Sequence, residues 1–274
     1  MESCYPLIVN DKPTRDAAEA IRRLAPPDPA APGPASVPAR AAIASVKDLK
    51  STPFRAFMAY LNTIAEENQL QAYVDNWSKV WEYPWLWFNG LCTIEWSGKR
   101  LLDVGSGRSP MPCLIAILGA EVMMVEKLRS SIPLWEEIKD QHQLAIDWTI
   151  VPGDDLPFAD NSFDVVTSFS VIEHQEDKPQ AVAEITRVLK PNGLLAISFD
   201  LCEEEWGMAY PARQGKALTV REFEEFLWNS PVLDNEGERL NWSAEQCAEF
   251  LEWYWSGKPD SKYVTAAASI RKRL

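Results

Sequence analysis

The stretch from residue 101 to residue 109 constrains the fold of this 274-residue chain more than any other. An apolar run ends there in Asp103, and Gly105 and Gly107 follow at once. The apolar run predicts a buried parallel strand, and glycines let backbone N–H groups approach a ligand where a Cβ would collide. Ser109 is a suitable N-cap for a following helix. The pattern predicts a strand, a loop and a helix around a nucleotide-type pocket.

The next apolar run, residues 120–125, predicts a second strand that brings Glu126 beside the glycine loop. A carboxylate in that position can hold two ribose hydroxyls. Pro110 occupies the sixth position of what would be a dinucleotide fingerprint, where a small residue is needed for close packing. The negative charge of Asp103 also disfavours a phosphate. The loop therefore indicates a ligand that bears hydroxyls or a positive charge.

Further motifs follow in order along the chain. They are Leu156–Phe158, the Glu173-His174 pair after a predicted strand over 165–170, and Leu189–Gly193 before another strand over 194–199. With the Asp-x-Gly-x-Gly loop, these motifs make residues 99–200 resemble the class I S-adenosylmethionine-dependent methyltransferases. The resemblance implies an α/β fold with a doubly wound, mostly parallel, seven-stranded Rossmann-like sheet and a helical N-terminal extension. Residues 263–270 suit its antiparallel last strand.

The resemblance also implies a set of cofactor-binding residues for S-adenosylmethionine, whose product is S-adenosylhomocysteine. Asp103 and the loop of Gly105, Ser106, Gly107 and Ser109 would face the methionine part of the cofactor. Glu126, with Lys127 next to it, would hold the ribose. The adenine would meet Leu156 and either Asp154 or Asp155, and the floor would be Ser168, Phe169 and Ser170.

His174 is the catalytic candidate. In the resembling enzymes the Glu-His pair mostly positions a segment beside the cofactor, so a general-base role and a positioning role both stay open. His142 lies in a polar run and is expected to be exposed. The five cysteines are scattered without partnering histidines, and no metal site is expected.

An aromatic segment over residues 77–88 precedes the first predicted strand. Such a segment fits a lid over the cofactor, with Tyr83 and Trp85 as the acceptor-side candidates, and it fits plain core packing equally well. Asp200 begins an acidic loop after the strand over 194–199. Loops at the carboxyl ends of strands carry specificity in open α/β sheets, so Asp200 is a further substrate candidate.

Charge and composition restrict the partners. The formal net charge is −13, and the basic residues form no stripe that would fit a nucleic acid. No run of eighteen apolar residues or secretory signal is present, so a soluble, cytoplasmic protein without a membrane partner is expected.

Changes in composition divide the chain into three parts. Residues 1–50 are expected to be an N-terminal arm with a linker rich in proline and alanine, residues 51–98 a helical and aromatic cap, and residues 99–274 the cofactor-binding domain. The arm is a candidate for mediating a dimer, although the oligomeric state does not follow from the sequence.

The favoured function is methyl transfer to an oxygen or nitrogen of a small-molecule acceptor. Methylation of a protein or peptide, and a non-catalytic binding module that keeps the cofactor pocket, are the alternatives. A dehydrogenase is more distant, because the glycine loop departs from the dinucleotide fingerprint.

Overall fold

The computed structural model describes residues 12–24, 39–74, 78–151, 155–203, 215–254 and 263–274. The strands are β1 (Ala39–Ile43), β2 (Arg100–Val104), β3 (Glu121–Glu126), β4 (Ile146–Ile150), β5 (Phe163–Phe169), β6 (Leu189–Cys202), β7 (Leu218–Thr219), β8 (Leu233–Asp234), β9 (Gly237–Glu238) and β10 (Val264–Lys272). The α-helices are α1 (Lys12–Arg22), α2 (Val46–Leu49), α3 (Thr52–Glu67), α4 (Lys79–Phe88), α5 (Met111–Ile117), α6 (Ile132–His142), α7 (Lys178–Val188), α8 (Val220–Phe223) and α9 (Ala244–Tyr254).

One mixed sheet organises the fold, in the order β4-β3-β2-β5-β6-β10-β1-β9. The five strands from β4 to β6 are mutually parallel. They are largely buried, as expected for parallel strands that helices cover on both faces. The chain builds outward from β2 to β4 on one side and then returns to place β5 and β6 on the other. In open α/β sheets a crevice forms at the carboxyl ends of the strands at such a reversal.

The predicted α/β class with a mostly parallel sheet is confirmed, but the expected count of seven strands is wrong. The described part of the chain forms a ten-stranded sheet. The antiparallel β10 pairs with β6 on one edge and with β1 on the other, and short strands β7, β8 and β9 pair with β6, β10 and β1. The extra strands cover edge N–H and C=O groups that a seven-stranded sheet would leave open.

The N-terminal segment packs on its own chain. Helix α1 lies against α3, and β1 belongs to the sheet although it lies within the segment that the sequence assigns to an arm and linker. The amide of Asn68 donates to Thr14 Oγ1 over 3.0 Å, and Asn68 Oδ1 meets Nε2 of His142. The expectation that His142 is exposed is therefore wrong, because this polar contact lets α6 bury the imidazole against α1 and α3.

Helix α4 carries most of the aromatic segment and packs against β6 and β10. Its side chains are nearly all buried, and Trp81 stacks on Trp85 with ring centroids 5.5 Å apart. Burial of such large aromatic surfaces fixes the helix on the sheet. Among the described residues, no helix has both the length and the apolar character needed to cross a membrane.

Candidate active site

The glycine loop follows β2 as predicted, and positive φ angles explain its glycines. Gly105 has φ +76°, and a Cβ there would stand 2.5 Å from Cγ2 of Val171. Gly107 has φ +54°, and a Cβ there would meet no atom of the described residues within 4 Å. Both conformations favour glycine. Gly105 therefore permits close packing against Val171, whereas Gly107 leaves open space beside the loop.

Glu126 ends β3 beside this loop, and its Oε1 accepts a hydrogen bond from the backbone N–H of Gly107. The carbonyl of Gly107 accepts from Trp135 Nε1 over 3.0 Å, so α6 also holds the loop. Burial raises the pKa of Glu126 to about 7, against the lowering effect of the Gly107 N–H. The carboxylate thus lies within reach of a ligand and is readily protonated near neutral pH.

Asp103 is buried at the carboxyl end of β2, directly opposite Thr167 on β5. Its Oδ1 accepts from the hydroxyl of Thr167, while Oδ2 has no hydrogen-bond partner among the described residues. Burial raises the pKa of Asp103 to about 6. Ser168 is also buried, and its Oγ has no partner within the same described ranges. Unpaired buried polar atoms are costly, so these two indicate a polar ligand.

Gly107, Glu126 and Ser168 line a cavity of about 760 Å³ at the carboxyl ends of β2, β3 and β5, whereas Asp103 is not among its lining residues. Its walls combine glycine backbone with polar and apolar side chains. Its lining residues include Gly105, Gly107, Glu126, Leu156, Ser168 and His174. A size of several hundred Å³ and a mainly apolar wall with few polar groups are typical of small-molecule sites.

Tyr83 and Ser109 lie together behind the glycine loop. The Tyr83 hydroxyl donates to Ser109 Oγ over 3.0 Å, and its ring meets the edge of Phe169 at 4.9 Å between centroids. Ser109 Oγ also accepts from the N–H of Met111, at the start of α5. Ser106 is buried and its hydroxyl approaches the carbonyl of Asp103 at 3.4 Å. Tyr83 thus links the aromatic helix to the loop.

The remaining sequence-predicted residues divide between the cavity wall and its surroundings. Lys127 and His174 are exposed on the wall, and Nζ of Lys127 donates to Gln175 Oε1 over 2.7 Å. Leu156 is buried on the wall, whereas the exposed Asp155 accepts from Gln180 Nε2 at 3.1 Å. Trp85 packs on Trp81. Asp154 lies outside the described residues.

A group of charged side chains that sequence reasoning missed lies between α4 and the ends of β5 and β6. Nζ of Lys79 donates to Glu82 Oε2 over 2.6 Å, and the hydroxyls of Ser170 and Ser198 donate to the same carboxylate at 3.0 Å and 2.6 Å. Lys79, Glu82 and Ser198 are buried. The three-residue spacing of Lys79 and Glu82 in one helix was the available signal.

Part of this chain is similar to a known protein family. Residues 102–197 match the model of a methyltransferase domain. A biotin biosynthesis bifunctional protein from Cellvibrio japonicus is 37% identical over 36% of this chain and 19% of its own length. A ubiquinone biosynthesis O-methyltransferase from Cereibacter sphaeroides is 33% identical over 38% of this chain and 42% of its own length. The chain thus spans less than half the length of these curated relatives.

Two solved structures share the fold. The 4+2 cyclase SpnF is 17% identical, with a TM-score of 0.55 over 97% of this chain and 93% of its own. Phosphoethanolamine N-methyltransferase 2 from Haemonchus contortus, solved with S-adenosyl-L-methionine, is 17% identical, with a TM-score of 0.51 over 70% of this chain and 56% of its own. At this identity the likeness concerns the fold alone.

Proposed function

We propose that this chain, which carries a class I S-adenosylmethionine-dependent methyltransferase domain, transfers a methyl group to an oxygen or nitrogen of a small-molecule acceptor. The observation that carries the proposal is the convergence of Glu126, the Gly107 backbone and the two unpartnered polar atoms, Asp103 Oδ2 and Ser168 Oγ, on one end of the sheet. The named relatives include an O-methyltransferase, and one structural neighbour is an N-methyltransferase.

The residues present fit S-adenosylmethionine. Glu126 would hold the ribose hydroxyls, and Asp103 with the glycine loop would hold the amino acid part, for which Oδ2 of Asp103 is an unused acceptor among the described residues. The open space at Gly107 admits a ligand close to the backbone. Leu156 supplies an apolar wall for the adenine. Lys127, Ser168, Phe169 and Ser170 complete the proposed site.

When bound, the cofactor supplies a methyl group on a sulfonium, which is already activated toward nucleophiles. The protein therefore contributes mainly by orienting the acceptor and excluding water. The buried aromatic helix α4, with Tyr83 and Trp85, and the region of Asp200 are proposed to enclose the acceptor. An amine needs no strong base once it is neutral, whereas a hydroxyl acceptor would need proton removal, for which His174 on the cavity wall is the proposed group.

Calorimetric titration with S-adenosylhomocysteine tests the cofactor part of the proposal. We expect saturable binding that Glu126→Ala weakens by about 1.5 to 3 kcal/mol, or roughly 10- to 150-fold. Glu121→Ala is the matched control, because Glu121 begins the same strand at its opposite end and is exposed. Absence of binding to the unaltered chain would contradict the proposal, and a rise in melting temperature with NAD(H) instead would favour a dehydrogenase.

Transfer is tested separately, with labelled S-adenosylmethionine and a panel of amine, phenol and alcohol acceptors. Label transfer to any of them supports the small-molecule assignment. Tight cofactor binding with transfer only to a co-purifying peptide would favour the peptide alternative. Binding without any transfer would favour a non-catalytic module.

A further inference from the structure

The turn after β5, residues 171–175 and here called the wall turn, follows a residue with a rare backbone conformation. Four residues of the wall turn line the cavity, namely Val171, Ile172, His174 and Gln175. Ser170 stands directly before them with φ +54°, in the left-handed region that residues with a Cβ rarely adopt. Such a conformation persists only where surrounding interactions hold it.

The hydroxyl of Ser170 is bound to helix α4. It donates to the two carboxylate oxygens of Glu82 at 3.0 Å and 3.1 Å, and Ser170 is not among the described residues that line the cavity. The backbone N–H of Ser170 donates to the carbonyl of Ser198 at 3.0 Å, and the hydroxyl of Ser198 donates to Glu82 at 2.6 Å. Glu82 and Ser198 therefore hold Ser170 by its side chain and by its backbone.

Lys79 makes Glu82 a strong acceptor. Nζ of Lys79 donates to Glu82 Oε2 over 2.6 Å and to the carbonyl of Phe169 over 3.4 Å. Burial alone would raise the pKa of Glu82, but the charge and hydrogen bond of Lys79 and the hydroxyl of Ser198 hold it below its usual value. Hydrogen bonds to an ionised acceptor are stronger than those between neutral groups, so the charged Glu82 anchors Ser170 firmly.

The wall turn also packs against the glycine loop. A Cβ on Gly105 would stand 2.5 Å from Cγ2 of Val171, so Val171 occupies the space that the glycine leaves. The N–H of His174 donates to the carbonyl of Val171 over 2.9 Å, which closes the turn. A change in the backbone of Ser170 would therefore displace both the cavity wall and its contact with the loop.

We propose that Glu82 is a positioning residue for the cofactor. Through Ser170 it fixes the wall turn against the glycine loop, and it thereby sets the affinity of the cavity for S-adenosylmethionine and S-adenosylhomocysteine. The role rests on the proposed function. Neither Glu82 nor Ser170 belongs to the described residues that line the cavity, so both act through the wall turn and not by contact with the cofactor.

Two substitutions of Ser170 separate anchoring from direct contact. Ser170→Ala removes the hydroxyl but keeps a Cβ, so nothing offsets the cost of φ +54° and the turn relaxes. Ser170→Gly removes the same hydroxyl, yet glycine adopts this conformation readily. In calorimetry, Ser170→Ala should bind S-adenosylhomocysteine about tenfold more weakly than the unaltered chain, and Ser170→Gly within about threefold of it. Equal losses in the two variants would mean that the hydroxyl contacts the cofactor, which overturns the proposal.

Asn192→Ala is the matched control for backbone strain. Asn192 also has a positive φ, +61°, but it is exposed near the start of β6, away from the carboxyl end of the sheet. The substitution should lower the melting temperature and leave the affinity for S-adenosylhomocysteine unchanged. A tenfold loss of affinity in this control would show that affinity follows stability alone, against a positioning role.

Variants of the ion pair test Glu82 itself. Lys79→Met with Glu82→Gln keeps an oxygen acceptor for Ser170 and leaves no unpaired charge, so binding should stay within about threefold of the unaltered chain. Lys79→Met with Glu82→Met has no acceptor and should bind about tenfold more weakly. Addition of Ser170→Ala to this second variant should cause little further loss, because both changes break the same bond. A further tenfold loss would overturn the proposal.

Amide hydrogen exchange of the wall turn needs no ligand and separates this proposal from the proposed function. Ser170→Ala should speed exchange of the His174 amide and of the Lys216 amide, which donates to the carbonyl of Glu173 over 2.8 Å, and Ser170→Gly should restore slow exchange. Unchanged exchange in Ser170→Ala would overturn the positioning role. Faster exchange in a chain that never binds S-adenosylhomocysteine would support the anchored turn and remove the methyltransferase assignment.

Discussion

Glu82 and Glu173 are equally buried, yet their surroundings hold them in opposite states. Burial alone would raise the pKa of both carboxyl groups, but Lys79 and the hydroxyl donors around Glu82 keep its pKa below the usual value. Around Glu173 the largest effect is burial, and its pKa rises to about 8. The difference teaches that local donors, not depth in the core, decide whether a buried carboxyl group is charged or protonated.

The largest expected effect comes from removing the positive charge of Lys79, which pairs with the buried Glu82. Lys79→Met should lower the free energy of unfolding by about 3 to 5 kcal/mol at pH 7, because Glu82 is left buried without its counter-charge. Urea unfolding measures the loss. Addition of Glu82→Gln to this variant should recover most of it, and a loss below about 1 kcal/mol in the single variant would contradict the structural role of the ion pair.

Close packing around the helical turn Ile172–His174 predicts the second largest effect on stability. A Cβ on Gly215, which has φ +88°, would stand 2.1 Å from the carbonyl oxygen of Glu173. Gly215→Ala should therefore cost about 2 to 3 kcal/mol of stability. Gly98 also has a positive φ, +70°, but open space among the described residues, so Gly98→Ala should cost only about 1 kcal/mol. Equal melting temperatures for the two variants would refute this packing.

The pH dependence of stability distinguishes the two carboxyl groups directly. Glu173 keeps its proton in the folded chain up to about pH 8, whereas its ordinary pKa is 4.5, so the folded chain binds more protons between these values. Its contribution to stability is present below about pH 4.5 and is lost as the pH rises toward 8, by at most about 1.4 kcal/mol per pH unit. Glu173→Gln should flatten this slope.

The pH dependence of stability that Glu82 contributes has the opposite sign. Its lowered pKa gives a contribution to stability that is present above the ordinary pKa of a glutamate and is lost as the pH falls through the pKa of the folded state.

Unfolding curves of the unaltered chain and of Glu173→Gln, measured from pH 5 to pH 8, isolate the effect of Glu173. Parallel curves would show that Glu173 does not titrate in this range.

The smallest effect is expected from an ion pair of similar length at the surface. Lys139 and Asp147 approach to 2.8 Å, but Asp147 is 68% exposed. Asp147→Asn should change stability by at most about 0.5 kcal/mol in urea unfolding at low salt. A loss approaching that of Lys79→Met would mean that burial does not account for the difference between the two pairs.

The sequence predicted the central part of the fold because its signals are local. A strand with Asp103 near its carboxyl end, two glycines with positive φ and a strand that ends in Glu126 are each set by neighbours in the chain. The parallel sheet follows from alternating apolar strands and helices. The same local patterns brought Asp103, Gly107 and Glu126 to one end of the sheet, as expected.

Contacts distant in the chain were beyond such reasoning. The position of β1 beside β10 depends on an edge of the sheet that a later segment creates, and the segment before β1 is rich in proline and alanine. His142 is buried because Asn68, 74 residues earlier, supplies a partner. The bond from Tyr83 to Ser109 likewise joins two segments whose sequences give no sign of contact.

The sequence by itself determined the class of the fold, the glycine loop and the acidic residues that end its strands, because periodicity and backbone conformation act over a few residues. Only the tertiary structure decided which acidic residues have donors. Glu82 meets Lys79 within its own helix and Ser198 from a distant strand, whereas Glu173 meets Asp200. Charge state depends on neighbours in space, and those are fixed only when the sheet and α4 pack together.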